Sequence, residues 1–173
     1  LKSLKDLTLS GIVGGLLAVF VLLFFLRKLR STIIIAMAIP MAIVFTFSFM
    51  YLYRDIFRAE VTINIISLSG LMMAVGMLVD NSVVVLENIF RLRQEKNYSP
   101  IKASMIGASE VAMAVTASTL TTLVVFVSLG FMAQSGFGRF MKDFALTISL
   151  ALIASLLVSL SFIPLAASRL LAG

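Results

Sequence analysis

Residues 70–88 read GLMMAVGMLVDNSVVVLEN, an apolar run with one carboxylate, Asp80, in its middle. Glu87 follows seven residues later, which on a helix places it about 10 Å further along the axis and on nearly the same face. An ionised carboxylate inside a bilayer costs at least about 2.5 kcal/mol. The run therefore predicts a membrane-spanning helix whose Asp80 side chain faces the interior of a bundle, a partner or a water path.

The rest of the chain is apolar as well. Of its 173 residues, 61% are hydrophobic and only 13% are charged, which is far from the composition of a soluble domain. Its long neutral stretches can each cross ~30 Å of hydrocarbon as a helix, and they lack the alternation of barrel strands. We predict an all-α membrane protein, a bundle of five transmembrane helices, with approximate spans at residues 7–26, 31–53, 61–88, 111–133 and 144–168.

The Lys and Arg residues lie in short clusters between these spans, so the net charge of +6 does not indicate nucleic-acid binding. Eight of them follow the odd-numbered spans, and six lie on the other side. This bias predicts an outer N-terminus and a cytoplasmic C-terminus. The longest polar link, residues 91–110, is then cytoplasmic, and Ser99 and Pro100 predict the N-cap and the first residue of a short helix within it.

Asp80 is a candidate proton-relay residue, because polar and ionisable residues inside a membrane are usually functional. The alternative is a protonated Asp80 that hydrogen-bonds neighbouring hydroxyls and only holds helices together. Asn81, about 100° round the helix, is a polar neighbour that can hydrogen-bond but cannot titrate. Glu87 lies nearer the predicted cytoplasmic end, where it is either an interfacial charge or a gate.

The fourth predicted span carries a cluster of hydroxyl side chains that could form a polar seam. Its candidate members are Thr116, Ser118, Thr119 and Thr122, with Thr121 between them. These hydroxyls either line a path toward Asp80 or bond the preceding turn of their own helix, and the sequence leaves both interpretations open.

Residue types that the chain lacks argue against enzymatic functions. It has no His and no Cys, which removes the commonest metal ligand, thiolate ligands and the usual general base. Asp80 is the one acid well inside a predicted span, whereas an aspartyl protease needs two carboxylates at one site. We therefore expect no enzyme, no metal site and no bound cofactor.

The stretch from residue 76 to residue 89 closely resembles the fourth transmembrane helix of resistance, nodulation and division (RND) exporters of the hydrophobe and amphiphile type. Gly107 and residues 110–111, 114–122 and 125–126 resemble the fifth helix of that family, and residues 144–147 and 164–170 resemble the sixth. The resemblance covers nearly the whole chain, from the second to the sixth helix of the N-terminal half. Since the chain also starts at Leu1, we expect a piece of a longer protein.

The resemblance implies a bacterial plasma (inner) membrane exporter that exchanges protons, as the coupling ion, for hydrophobic or amphiphilic compounds. Asp80 would be its proton-relay carboxylate. The partners implied are membrane lipid, the second half of the same polypeptide, further copies in a trimer, and a periplasmic or extracellular adaptor protein. Many members carry a second acid where this chain has Asn81, and the family's relay uses a lysine on the second half, so these 173 residues alone should not transport.

Two other members of the superfamily offer alternative functions. The five-helix arrangement also resembles sterol-sensing domains, which bind lipid between helices. A protein-export accessory that uses the proton gradient is a further alternative. The acid-amide pair Asp80 and Asn81 within an exporter-type motif argues against the sterol-sensing alternative. The exporter-like segment from Glu110 to Val125 argues against the protein-export accessory.

Overall fold

The computed structural model describes residues 20–21, 23–24, 29–57, 64–131 and 136–171, and all regular secondary structure in these residues is helical. Helix α1 is Leu29–Phe57, α2 is Ile65–Lys96, α3 is Pro100–Phe131, α4 is Gly136–Leu157 and α5 is Ile163–Leu170. A π-helical turn, Val158–Phe162, joins α4 to α5.

Four helical segments are long and apolar enough to cross a membrane: Leu29–Ile56, Ile65–Lys96, Pro100–Phe131 and Phe140–Leu170. The prediction of an all-α chain of membrane-spanning helices is confirmed for the described residues. The count of five is not matched there, because the first predicted span, residues 7–26, lies outside them except for helical residues 20–21 and 23–24.

The predicted link at residues 91–110 is almost entirely helical, since only residues 97–99 separate α2 from α3. Asn97 ends α2 in the left-handed conformation, with φ 51°, a conformation that Asn tolerates better than most residues. Ser99 is the predicted N-cap of α3, and its carbonyl accepts from the Ala103 amide at 2.8 Å. The sequence predicts a separate short helix within this link. In the structure these residues form the first turns of α3, because the polar residues continue the same helix beyond its apolar run.

Two glycines allow α2 to pack closely on its neighbours. A Cβ at Gly70 would lie 3.1 Å from the Phe144 carbonyl oxygen on α4, and one at Gly107 on α3 would lie 2.9 Å from the Ile89 Cα. Small residues of this kind let helix backbones approach where no hydrophobic effect drives association. As a result, α2 lies against both α3 and α4 in the described bundle.

The first turn of α2 is fixed by a capping box and by a bond to α4. The Asn64 side-chain oxygen accepts from the Ser67 amide at 2.8 Å, and Ser67 Oγ accepts from the Asn64 amide at 2.8 Å. The Asn64 Nδ2 group donates to Asp143 Oδ2 at 2.9 Å. One residue thus caps α2 and sets the position of its start relative to α4.

Candidate functional site

Asp80 lies in the middle of α2, on a side of the helix that the other described helices leave open. An exposed stripe, here called the Asp80 face, consists of Met73, Gly76, Asp80, Val84 and Glu87. A Cβ added at Gly76 would meet nothing within 4 Å. Asp80 makes no hydrogen bond or ion pair with any residue that the structure describes.

Asn81 lies beside Asp80 and turns toward α3. Its Nδ2 group donates to Thr119 Oγ1 at 3.1 Å. Thr119 is buried, with 4% of its surface exposed, and its hydroxyl donates to the Val115 carbonyl at 2.8 Å. The acid and the amide of the predicted pair therefore belong to different surfaces of α2, one open and one packed.

The hydroxyl cluster on α3 is only partly a seam between helices. Thr119 bonds its own helix and also accepts from Asn81, whereas no described hydroxyl of the cluster bonds Asp80. Thr122 donates to the Ser118 carbonyl at 3.1 Å, within its own helix. Thr116 is half-buried and Ser118 is exposed.

Glu87 is exposed and lines an open cavity of about 740 Å³ at the end of α2 nearest Lys96. Most of the lining residues belong to α2, and Ser31 of α1 and Val111 of α3 line the rest of the cavity. The polar lining residues on α2 are Glu87, Asn88, Arg91, Gln94 and Glu95. A carboxylate in such an open cavity is accessible to water.

The whole sequence, residues 1–173, matches the model of the AcrB/AcrD/AcrF family. The chain belongs to this family. Its similarity to curated proteins extends over nearly all of its length. The multidrug resistance protein MdtC of Pectobacterium atrosepticum is 38% identical over 170 residues, which are 98% of this chain and 16% of that protein.

Two further relatives give the same result for this member of the AcrB/AcrD/AcrF family. The MdtC proteins of Escherichia coli O139:H28 and of Shigella flexneri are each 37% identical over 163 residues, or 94% of this chain. The matched region is 15% of each of those proteins. The chain thus spans only a small part of the length of the curated relatives it matches.

Sequence reasoning missed a second polar bridge in this family member. Asn88, which is 9% exposed, donates from Nδ2 to the Gly107 carbonyl at 2.8 Å and to Glu110 Oε2 at 3.1 Å. Arg91 Nη2 lies 3.5 Å from the same Glu110 oxygen. The signal was present in the spacing, because Asn88 follows Asn81 by seven residues and so lies on nearly the same face of α2.

Proposed function

We propose that this chain is a membrane-embedded fragment of a proton-driven exporter of hydrophobic or amphiphilic compounds, and that Asp80 is its proton-relay carboxylate. The observation that carries the proposal is the open Asp80 face, on which an acid in the middle of a spanning helix has no partner among the described residues. Membership of the AcrB/AcrD/AcrF family supports the exporter class.

A carboxylate in this position requires a partner or water. Lipid chains offer Asp80 neither a hydrogen bond nor a counter-charge, so exposing its ionised form to lipid costs at least about 2.5 kcal/mol. The open space at Gly76, one turn away, leaves room for another helix to approach. In the proposal the remainder of the polypeptide covers the Asp80 face and supplies a cation or water to the carboxylate.

The proton then acts by changing the charge of this buried contact. When Asp80 is ionised, it attracts a cationic partner and holds the covering helix against α2. When Asp80 takes up a proton from the outer side, that attraction is lost, and the covering helix can shift. Release of the proton to the cytoplasm restores the charge, so one cycle of loading and release moves the helices out and back.

The assembly and topology proposed for the full-length protein follow the sequence predictions. Residues 7–26, which lie largely outside the described residues, remain a predicted span. The proposed topology places the N-terminus outside and the C-terminus in the cytoplasm of a bacterial inner membrane. The chain is one stretch of a longer polypeptide that forms trimers and works with a periplasmic or extracellular adaptor protein. The short matched share of the MdtC relatives, 15% or 16%, supports a much longer polypeptide.

The test is Asp80→Asn in the full-length protein, with efflux of a fluorescent amphiphile measured as the proton gradient is imposed and collapsed. The amide keeps the shape and removes the titrating group, so we expect proton-dependent efflux to be lost. Asp55→Asn is the matched control, because it makes the same chemical change at an exposed acid near the end of α1. Unchanged efflux in Asp80→Asn at normal membrane abundance would contradict the proposal.

A further inference from the structure

The hydrogen bond between Asn81 and Thr119 has a fixed direction. A threonine hydroxyl has one proton to donate and lone pairs with which to accept. The Thr119 proton is directed to the Val115 carbonyl at 2.8 Å, so the same oxygen can only accept from Asn81, whose Nδ2 lies 3.1 Å away. The group at position 81 must therefore be a donor.

A carboxylate at position 81 would meet this requirement only in its protonated form. An ionised carboxylate has acceptors alone and would place its lone pairs against those of Thr119. An amide is a donor at every pH. Asn81 therefore always donates to Thr119, whereas an acid at this position would donate only after taking up a proton.

The second bridge between α2 and α3 has the same property. Asn88 on α2 donates its amide to the Gly107 carbonyl on α3 at 2.8 Å, a bond that contains no group that titrates, and the same amide also donates to the Glu110 carboxylate at 3.1 Å. The backbones are in close contact at that point, since a Cβ at Gly107 would lie 2.9 Å from the Ile89 Cα. Two amide donors, seven residues apart, therefore fasten α2 to α3 along one face.

Among the described residues, Asp80 is the one ionisable group in the middle of the span near this face, whereas Glu110 and Arg91 lie at its end, beside Asn88. The described parts of the helices packed against α2 carry no ionisable side chain at residues 31–50, 111–131 and 144–168. The charge change at Asp80 occurs on the open side of α2, whereas Asn81 bonds α3 on the packed side.

We infer that Asn81 is a positioning residue that locks α2 to α3 in both protonation states of Asp80, so that the two helices move as one body and this site loads at most one proton per cycle. The inference deepens the proposed function and rests on it for the coupling to transport. The lock itself is a property of the helix pair and can be measured without transport.

The experiment measures the distance between nitroxide labels on α2 and α3 in the full-length protein reconstituted in vesicles. Leu68 and Leu129 are exposed and lie toward the ends of the two helices opposite the 97–99 turn, so cysteines replacing them report how far the helix pair opens. The chain contains no cysteine of its own in these 173 residues. The measurement is repeated across a pH range that spans the titration of an intramembrane carboxyl.

We expect one narrow distance distribution in the parent protein at every pH, and the same distribution in Asp80→Asn. In Asn81→Asp the distribution should become pH-dependent and broaden as the introduced carboxyl ionises. Thr119→Val, which removes the acceptor, should broaden it at every pH. Thr122→Val is the matched control, since that hydroxyl donates within α3 to Ser118, and it should leave the distribution unchanged.

A pH-independent, parent-like distribution in Asn81→Asp overturns the inference, as does a parent-like distribution in Thr119→Val. These outcomes are separate from the failure of the proposed function. Unchanged efflux in Asp80→Asn would contradict the role of Asp80 in transport, whereas the label distances would still decide whether Asn81 fastens the two helices.

Discussion

The side-chain amide of Asn88 donates to the backbone carbonyl of Gly107 at 2.8 Å, and this bond joins α2 to α3 near the turn between them. The same amide group reaches Glu110 Oε2 at 3.1 Å. Asn88 is almost fully buried and Glu110 is exposed, so the bond to the Gly107 carbonyl is the contact that is sheltered from water. A single residue therefore satisfies a backbone carbonyl and an acid of the neighbouring helix.

Replacing Asn88 with Leu should destabilise the full-length protein by about 1–3 kcal/mol, because the change removes the hydrogen bonds from a buried amide to the Gly107 carbonyl and to the Glu110 carboxylate. The free energy of unfolding in a detergent titration measures this effect. Gln94→Leu is the control, since Gln94 is an exposed amide on the same helix and should change stability little. Equal stability of the two variants would show that the Asn88 bridge contributes nothing.

Gly107→Ala should also lower stability, by about 1–3 kcal/mol, because the added Cβ would lie 2.9 Å from the Ile89 Cα and the two backbones would have to separate. Gly130→Ala on the same helix is the matched control. Its Cβ would lie 3.7 Å from the Ala145 Cβ, an ordinary contact, so the higher helix propensity of Ala should make that variant neutral or more stable. Gly130→Ala should therefore have a higher thermal unfolding midpoint than Gly107→Ala. A higher midpoint for Gly107→Ala would contradict the close approach of α3 to α2 at Gly107.

Asn64→Ala should cost about 0.5–2 kcal/mol, because it removes the N-cap of α2. It also removes the 2.9 Å bond from Asn64 Nδ2 to Asp143. Asn64→Ser separates the two effects, since serine can cap the helix but lacks the second polar atom that contacts Asp143. We expect the unfolding free energy of the serine variant to lie between those of the parent and the alanine variant. If serine is as damaging as alanine, the contact with α4 matters more than the cap.

Glu87→Gln should leave proton-dependent efflux within about a factor of five of the parent, because charges accessible to water contribute about 0–1 kcal/mol. Glu87 lines an open polar cavity near the end of α2, whereas Asp80 lies in the middle of the span. The measurement is the efflux assay used for Asp80→Asn, carried out in parallel. If Glu87→Gln loses as much proton-dependent efflux as we expect for Asp80→Asn, Glu87 acts as a gate and not only as an interfacial charge.

Much of the fold follows from local chemistry that a single sequence displays. Apolar runs of the length of the bilayer predict spanning helices, and Ser99 followed by Pro100 predicts where α3 begins. The helix ends were harder to predict, because α2 and α3 continue through charged residues that the apolar pattern assigns to a link. The π-helical turn at Val158–Phe162 comes just before Pro164, which has no N–H to donate to the Leu160 carbonyl, so the sequence marks a disturbed helix there without specifying its form.

The sequence by itself determined that Asp80 is an acid in the middle of a membrane-length apolar helix, with a non-titrating amide next to it, because composition and spacing depend only on the order of residues. The tertiary structure alone decided that Asn81 meets Thr119 while Asp80 stays on an open face. Helical periodicity separates the two side chains by about 100° but does not say which neighbour lies on each side. That choice depends on where backbones approach most closely, and the contacts at Gly70 and Gly107 place α4 and α3 against α2.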